Sequence, residues 1–305
     1  MRIAITGASG FVGRAVVTAL QQQGHELVRL VRARDPAAGT AHWDAATGAV
    51  DTKALGAVDA VVHLAGENVA GGRWSTARKQ RIADSRGPAT LALCRTLAAL
   101  PKPPRVLVAA SAIGIYGDRG DEVLDERSAP GNGFLADVAK AWEAGAEPLR
   151  AAGTRVVHLR IPMVLDPSGG ALQRMLLPFR LGIGGPLGSG RQWVGWITRH
   201  DLVRVITTVL ADERYRGPVL TTTPTPVTNR EFVRALGKAL YRPAFLPAPA
   251  FALRLLLGEM SDLLLFSQRP RPGVLPANGF VFDHAQIDAA FAAMFARGER
   301  GARPS

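Results

Sequence analysis

Thr6-Gly7-Ala8-Ser9-Gly10-Phe11-Val12-Gly13 lies between an apolar run, 2–6, and a segment of helical periodicity, 14–23. Each of the three glycines at this junction has a separate task. Gly7 permits the tight turn out of the strand. Gly10 removes a side chain where a pyrophosphate must approach the backbone, and Gly13 lets helix and strand pack closely. The helix start then faces an anion with free amide N–H groups and the positive end of its dipole. Ser9, Phe11 and Val12 complete the loop and join the three glycines as candidate cofactor contacts.

Outward from this loop, short apolar runs alternate with helical segments. Strands are expected at 2–6, 26–31, 60–64, 105–110 and 156–161, and helices at 14–23, 75–100 and 135–152, with Gly24 stopping the first helix. This alternation predicts an α/β protein, a Rossmann-type doubly wound parallel sheet covered on both faces, with a smaller C-terminal substrate domain. After Ile161 the chain turns Gly- and Pro-rich, SGGALQRMLLPFRLGIGGPLGSG. A boundary is therefore expected near residue 165, giving a cofactor domain over 1–165 and a substrate domain over 166–305, with parts near 196–222 returning to the sheet.

The end of the second strand bears on cofactor choice. It reads Leu30-Val31-Arg32-Ala33-Arg34, with no carboxylate until Asp35. An acid at that place would serve a free ribose hydroxyl. Arg32, with Arg34 beside it, can instead clamp a 2′-phosphate, which favours NADP(H) over NAD(H). The strand at 60–64 ends in Leu64-Ala65-Gly66-Glu67, small residues over which the adenosine and nicotinamide ends can pass. His63 reads as a packed strand residue rather than a base.

Composition narrows the remaining classes. Hydrophobic residues make up 47% and charged residues 20%, ordinary for a packed globular chain. The formal charge is +12, yet the basic residues are scattered and nearly all arginine, and no basic tract is interleaved with stacking aromatics. A nucleic-acid partner is not expected. The single cysteine, Cys94, can form neither an internal disulfide nor a cysteine metal site, so a reducing cytoplasm is the natural compartment and no metal site is expected. The most apolar later stretch, 248–266, is broken by Arg254, Glu259 and Asp262. No membrane span or membrane partner is expected from it, and nothing in the sequence fixes an oligomeric state.

With TGASGFVG, DAVVHLAGE and SAIGIYG in this order, the chain resembles the extended, or atypical, short-chain dehydrogenase/reductase superfamily. LAGENVAGGRW, the Ser85-Arg86 pair, SAIGIYGDRGDEVLDE, FLADVAKAWE and LLPFRLGIGGPLGSGRQW narrow the resemblance. They are similar to the bacterial NAD-dependent epimerase/dehydratase (sugar-nucleotide epimerase-like) family, related to vertebrate epimerase family protein 39U. The resemblance implies an acid/base Tyr-x-x-x-Lys pair on the helix after SAIGIYG. Here that helix reads Phe134-Leu135-Ala136-Asp137-Val138-Ala139-Lys140-Ala141-Trp142-Glu143. With Glu143 aligned to the acid that usually follows the pair, Leu135 takes the Tyr position and Ala139 the Lys position. Lys140 lies about 100° further around the helix and cannot substitute.

Ser111, close to the family's Ser/Thr position, and Tyr116, in the loop that usually contacts substrate, remain as catalytic candidates. Arg160 and Pro162 fall at the strand end that usually cradles nicotinamide. The leading expectation is an NADP(H)-binding oxidoreductase or epimerase-like protein acting on a small polar substrate. A protein that binds NADP(H) for redox sensing or scaffolding, without turnover, is the alternative that the missing Tyr and Lys leave open. The sequence predicts that NADPH binds at least about tenfold more tightly than NADH, a modest difference for a charge-assisted pair. Calorimetry on wild type and Arg32→Ala checks it. The substitution should erode the preference by weakening NADPH alone, and equal affinities in the wild type contradict the clamp.

Overall fold

The computed structural model describes residues 1–33 and 37–299. Seven strands, β1 (Arg2–Thr6), β2 (Glu26–Val31), β3 (Thr40–His42), β4 (Ala60–His63), β5 (Val106–Ala112), β6 (Arg155–Ile161) and β7 (Gly217–Leu220), form one sheet. All pairings are parallel, and the order is β7-β6-β5-β4-β1-β2-β3. The direction of winding reverses between β1 and β4. In an open α/β sheet that switch point leaves a crevice at the carboxyl ends of the two strands, where ligands bind.

Because a strand alternates its side chains, β1 sends Ile3 and Ile5 to one core and Ala4 to the other. Helices α1 (Phe11–Gln22), α2 (Thr76–Asp84), α3 (Gly87–Ala98), α4 (Phe134–Ala144), α5 (Glu147–Ala151), α6 (Gly170–Arg180) and α7 (Arg199–Ala211) follow in chain order. Val16, Val17 and Leu20 of α1 share the first core with Leu202, Val205, Ile206 and Val209 of α7. Leu93, Cys94 and Leu97 of α3 and Leu149 of α5 fill the second. Cys94 is fully buried there, and burial pushes its thiol up to about 12.

Two expected helices are each broken in two. The segment 75–100 divides at Ser85-Arg86, where Arg86 leaves helical conformation (φ −115°, ψ −82°) and Pro88 opens the next helix. The segment 135–152 divides at Gly145-Ala146. A Cβ on Gly145 would come within 3.0 Å of the Gly87 carbonyl, so the glycine is required by close passage against α3.

Beyond β6 a separate apolar core forms. Leu172, Leu176 and Phe179 of α6 meet Phe232, Val233 and Leu236 of α8 (Asn229–Ala239), together with Trp196, Ile287 and Phe291. A further helix, α9 (Ala250–Leu257), has no buried residue. Among the described residues, no helix is long and apolar enough to cross a membrane.

Two carboxylates fasten the C-terminal segment to the sheet domain. Asp201, wholly buried at the first turn of α7, accepts the backbone N–H groups of Asp283 and His284, each at 3.0 Å. Glu126 accepts those of Leu220, Gly273 and Val274 at 3.0–3.1 Å. A carboxylate receiving several amide hydrogens satisfies donors that would otherwise be buried unpaired. Asp201→Ala should therefore cost about 3 kcal/mol of folding stability and expose 278–286 to proteolysis. Urea denaturation and limited digestion read both effects, and a loss under about 1 kcal/mol would mean that this tether holds nothing.

Candidate cofactor and substrate site

The floor of the site is the meeting of β1 and β4. Gly7 has φ +68°, and a Cβ there would stand 2.8 Å from the Leu64 carbonyl group, so only glycine allows the two strand ends to close. Thr6 bonds them together. Its Oγ1 accepts the N–H groups of Leu64 (3.1 Å) and Ala65 (3.2 Å), which leaves its own proton for His63 Nδ1 at 2.8 Å. His63 must then carry its proton on Nε2, donating to Thr90 Oγ1 at 2.9 Å. Burial holds the imidazole neutral and lowers its pKa to about 4.

The loop above this floor is shaped by absent side chains. A Cβ on Gly13 would fall 2.0 Å from the Gly7 carbonyl oxygen, and one on Gly10 would fall 3.1 Å from it. Helix α1 begins at Gly10 without a side-chain cap and without an acid in its first turn. Ser9 and Gly10 are exposed, and Phe11 and Val12 are half-buried. Phe11 turns away under the Arg199 guanidinium, 5.1 Å from its ring, and packs against Gly169-Gly170. An uncapped helix start with exposed glycine backbone is suited to a diphosphate.

Residues after β4 form the adjoining wall. The Glu67 N–H donates to Ser85 Oγ at 3.0 Å, and its carbonyl accepts Arg86 Nη2 at 2.9 Å. Arg86 in turn stacks 4.8 Å from the Trp142 ring, and burial lowers its pKa to about 10. The Ser85-Arg86 pair thus clamps Leu64-Ala65-Gly66-Glu67 into an open run in which Gly66 is exposed. Arg32 is exposed just past β2. Arg34 lies outside the described residues.

Across the sheet the expected catalytic candidates are otherwise engaged. Glu143 of α4 receives Arg160 Nε and Nη2 at 2.9 and 3.0 Å, and Ser111 Oγ at 2.8 Å. Arg160 Nη1 donates to the Tyr116 hydroxyl (2.9 Å) and the Glu126 carbonyl (3.1 Å), while Tyr116 donates to the Asp125 carbonyl at 2.8 Å. Burial alone would raise the Glu143 carboxyl, but hydrogen bonding and charge from Arg160 hold it below the ordinary carboxylate range. Burial raises the Tyr116 phenol to about 12.

Three of the expected site residues are engaged within the fold in this structure. Arg160 does not present its guanidinium at the nicotinamide end, because every edge of it is spent inside the fold. Tyr116 has no exposed surface, and its hydroxyl both donates and accepts internally, so it is not placed as a proton donor. Ser111 points its hydroxyl into the same network and is 2% exposed. Pro162 is buried immediately beyond β6.

At the vacant acid/base positions, Leu135 packs on Gly114 and Ala139 is buried with Ile115, Tyr116 and Leu124. Lys140 turns outward to Asp137 at 2.8 Å. Arg86, Glu126 and His158 escaped the sequence reading of the site. His158 alone carries a visible signal, a titratable residue within the apolar run of β6, whereas Arg86 and Glu126 stand among other polar residues. His200, Asp201 and Asp283 bring ligand atoms within 4.8 Å of one another. Arg204 lies 3.0 Å from both acids and supplies the positive charge there.

The sequence model described as "NAD dependent epimerase/dehydratase family" matches residues 3–218, and "Domain of unknown function (DUF1731)" matches 248–294. Epimerase family protein MT2273 of Mycobacterium tuberculosis is 42% identical over 289 residues, covering 94% of this chain and 95% of its own. The crystal structure of human epimerase family protein SDR39U1 (isoform 2) with NADPH superposes with a TM-score of 0.89 at 33% identity, covering 97% and 99% of the two chains. A nucleoside-diphosphate sugar epimerase from Corynebacterium glutamicum gives 0.80 at 33% identity, covering 97% of this chain and 58% of that one.

The buried histidines set an acid limit. His63 and His158 both have pKa values lowered to about 4 by burial. Between that value and the unfolded value near 6.5 the unfolded chain binds more protons, so stability rises with pH through the window. Stability should be undiminished above about pH 6.5 and fall by roughly 3 kcal/mol per histidine by pH 4. Denaturation at several pH values checks this, and His63→Gln should flatten part of the slope. A flat profile from pH 6.5 to 4 would contradict the buried neutral imidazoles.

Proposed function

Because the chain belongs to the NAD dependent epimerase/dehydratase family, we propose that it binds NADP(H) and exchanges hydride between that cofactor and a small polar substrate held against its C-terminal half. The observation that carries this reading is the uncapped, acid-free start of α1 directly above the β1/β4 switch point. Backbone N–H groups from Phe11 to Gly13 would hold the pyrophosphate, the Gly10 N–H being spent on the Gly7 carbonyl, and Leu64 to Glu67 would run beneath the nucleoside ends. Arg32, with no acid beside it, suits a 2′-phosphate. The human relative's NADPH complex at 33% identity supports the phosphorylated form.

NADP(H), when bound, supplies or accepts the hydride. The chain's own residues orient the reactants and exclude tyrosine chemistry. With Leu135 half-buried and Ala139 buried at those positions and Tyr116 held by Arg160, the proton that accompanies hydride passes to or from water or the substrate itself. Ser111 acts as a positioning group that fixes the end of β5 against Glu143. A second reading, retention of NADP(H) without turnover, is favoured by that same apolar filling of the acid/base positions.

Gly10→Val should abolish NADPH binding with the fold retained by circular dichroism, whereas Gly13→Ala, whose Cβ would collide with the Gly7 carbonyl, should damage the fold itself. Unimpaired binding by Gly10→Val would place the phosphates elsewhere. A panel of carbonyl compounds and sugar nucleotides, followed by nicotinamide absorbance, then separates the two readings. Tight NADPH binding with no hydride exchange favours retention. Where exchange is found, Ser111→Ala should slow it more than Lys140→Ala. A loss of about two orders of magnitude in Lys140→Ala, about 3 kcal/mol of barrier, would overturn the tyrosine-independent reading.

A further inference from the structure

Helix α9 reads Ala250-Phe251-Ala252-Leu253-Arg254-Leu255-Leu256-Leu257, apolar on every side except at Arg254, and none of its residues is buried. A helix of that composition ordinarily lies inside a protein or against another apolar phase. Phe251 is 73% exposed and Leu255 78%. The helix is not alone. Leu177, Leu181 and Ile183 at the end of α6, and Tyr241, Phe245 and Leu246 before α9, are exposed as well.

Backbone bonds join these segments into one surface. The Leu246 N–H donates to the Gly184 carbonyl (3.3 Å), the Ala248 N–H to Pro186 (2.9 Å) and the Gly188 N–H to Ala248 (2.8 Å). Across 170–192 and 239–258, which supply this face, there are five arginines, Arg174, Arg180, Arg191, Arg242 and Arg254, and neither aspartate nor glutamate.

We propose that this face docks on an anionic lipid surface, with the leucine and phenylalanine side chains entering the interface and the arginines meeting the headgroups. Charge selects this occupant over a second copy of the chain. A symmetric dimer through the face would oppose two sets of five arginines from segments that hold no carboxylate of their own, Glu259 and Asp262 lying just beyond α9. Exposed leucine and phenylalanine beside arginine also make a surface that a lipid interface accepts without a shaped partner. The chain's overall formal charge of +12 acts in the same direction. The lack of a spanning segment excludes crossing of the bilayer by these helices and leaves surface docking open.

Flotation with vesicles of phosphatidylcholine, with and without phosphatidylglycerol, tests the proposal on the full chain. Wild type should float with the anionic vesicles, remain in solution with the neutral ones, and be released by salt. Phe251→Glu/Leu255→Glu and, separately, Arg180→Glu/Arg242→Glu should each lower partition by about tenfold or more, with melting temperature and NADPH affinity unchanged. Leu181→Glu provides a third variant on another helix, so that misfolding of one cannot decide the result. The proposal is overturned if wild type ignores anionic vesicles or binds both compositions equally. It is also overturned if all folded variants still float, or if wild type is instead a dimer that the glutamates convert to monomer.

Discussion

A guanidinium buried at the carboxyl end of β6 governs the half of the molecule where chemistry would be expected. Arg160 cannot be left unpaired there, because the cost of desolvating an isolated charge far exceeds what packing alone could return. It is met by both oxygens of Glu143, by the Tyr116 hydroxyl and by the Glu126 carbonyl. Four elements converge as a result: the end of β6, helix α4, the turn carrying Tyr116 and the segment around Glu126. Through the other face of Glu126 the same knot reaches Gly273 and Val274, and so the C-terminal segment.

The phosphate-facing half obeys a different constraint. There the strand ends are brought together by missing side chains at Gly7 and Gly13, and held by neutral hydrogen bonds through Thr6, His63 and Thr90. The closure of the strand ends uses no ion pair, and the positive end of α1 is left without a side-chain cap. One side of the cleft is therefore preorganised for an anion while the other has its polar groups satisfied internally. Such a division suits tight holding of a cofactor better than strong side-chain proton transfer.

Legibility from sequence follows this division. The glycine loop and the strand and helix alternation are properties of short spans with fixed spacing, and they could be read directly. Arg160, Ser111 and Tyr116 could not, because their roles depend on which distant residue lies opposite. Sequence places Ser111 and Tyr116 at the mouth of a pocket, and only the register Ser111↔Arg160 between β5 and β6 reveals that Glu143 and Arg160 claim both hydroxyls. The breaks at Arg86 and Gly145 were hidden for a related reason. Each arises where α3 and α4 pass too closely for a side chain, which is a tertiary demand overriding helical propensity.

The apolar filling at Leu135 and Ala139 and the ion pair at Glu143 are linked. In a site with a lysine at position 139, a second buried cation would stand near Arg160 with one carboxylate to share, and Glu143 could not neutralise both. With alanine at 139 the Glu143 carboxylate is left to Arg160, and the pair takes Tyr116 on Arg160 and Ser111 on Glu143 as hydrogen-bond partners. Restoring the tyrosine and lysine alone would add an unpaired charge to a full network. Both arrangements would satisfy the polar groups of one buried space, and here Arg160, Glu143, Tyr116 and Ser111 satisfy one another.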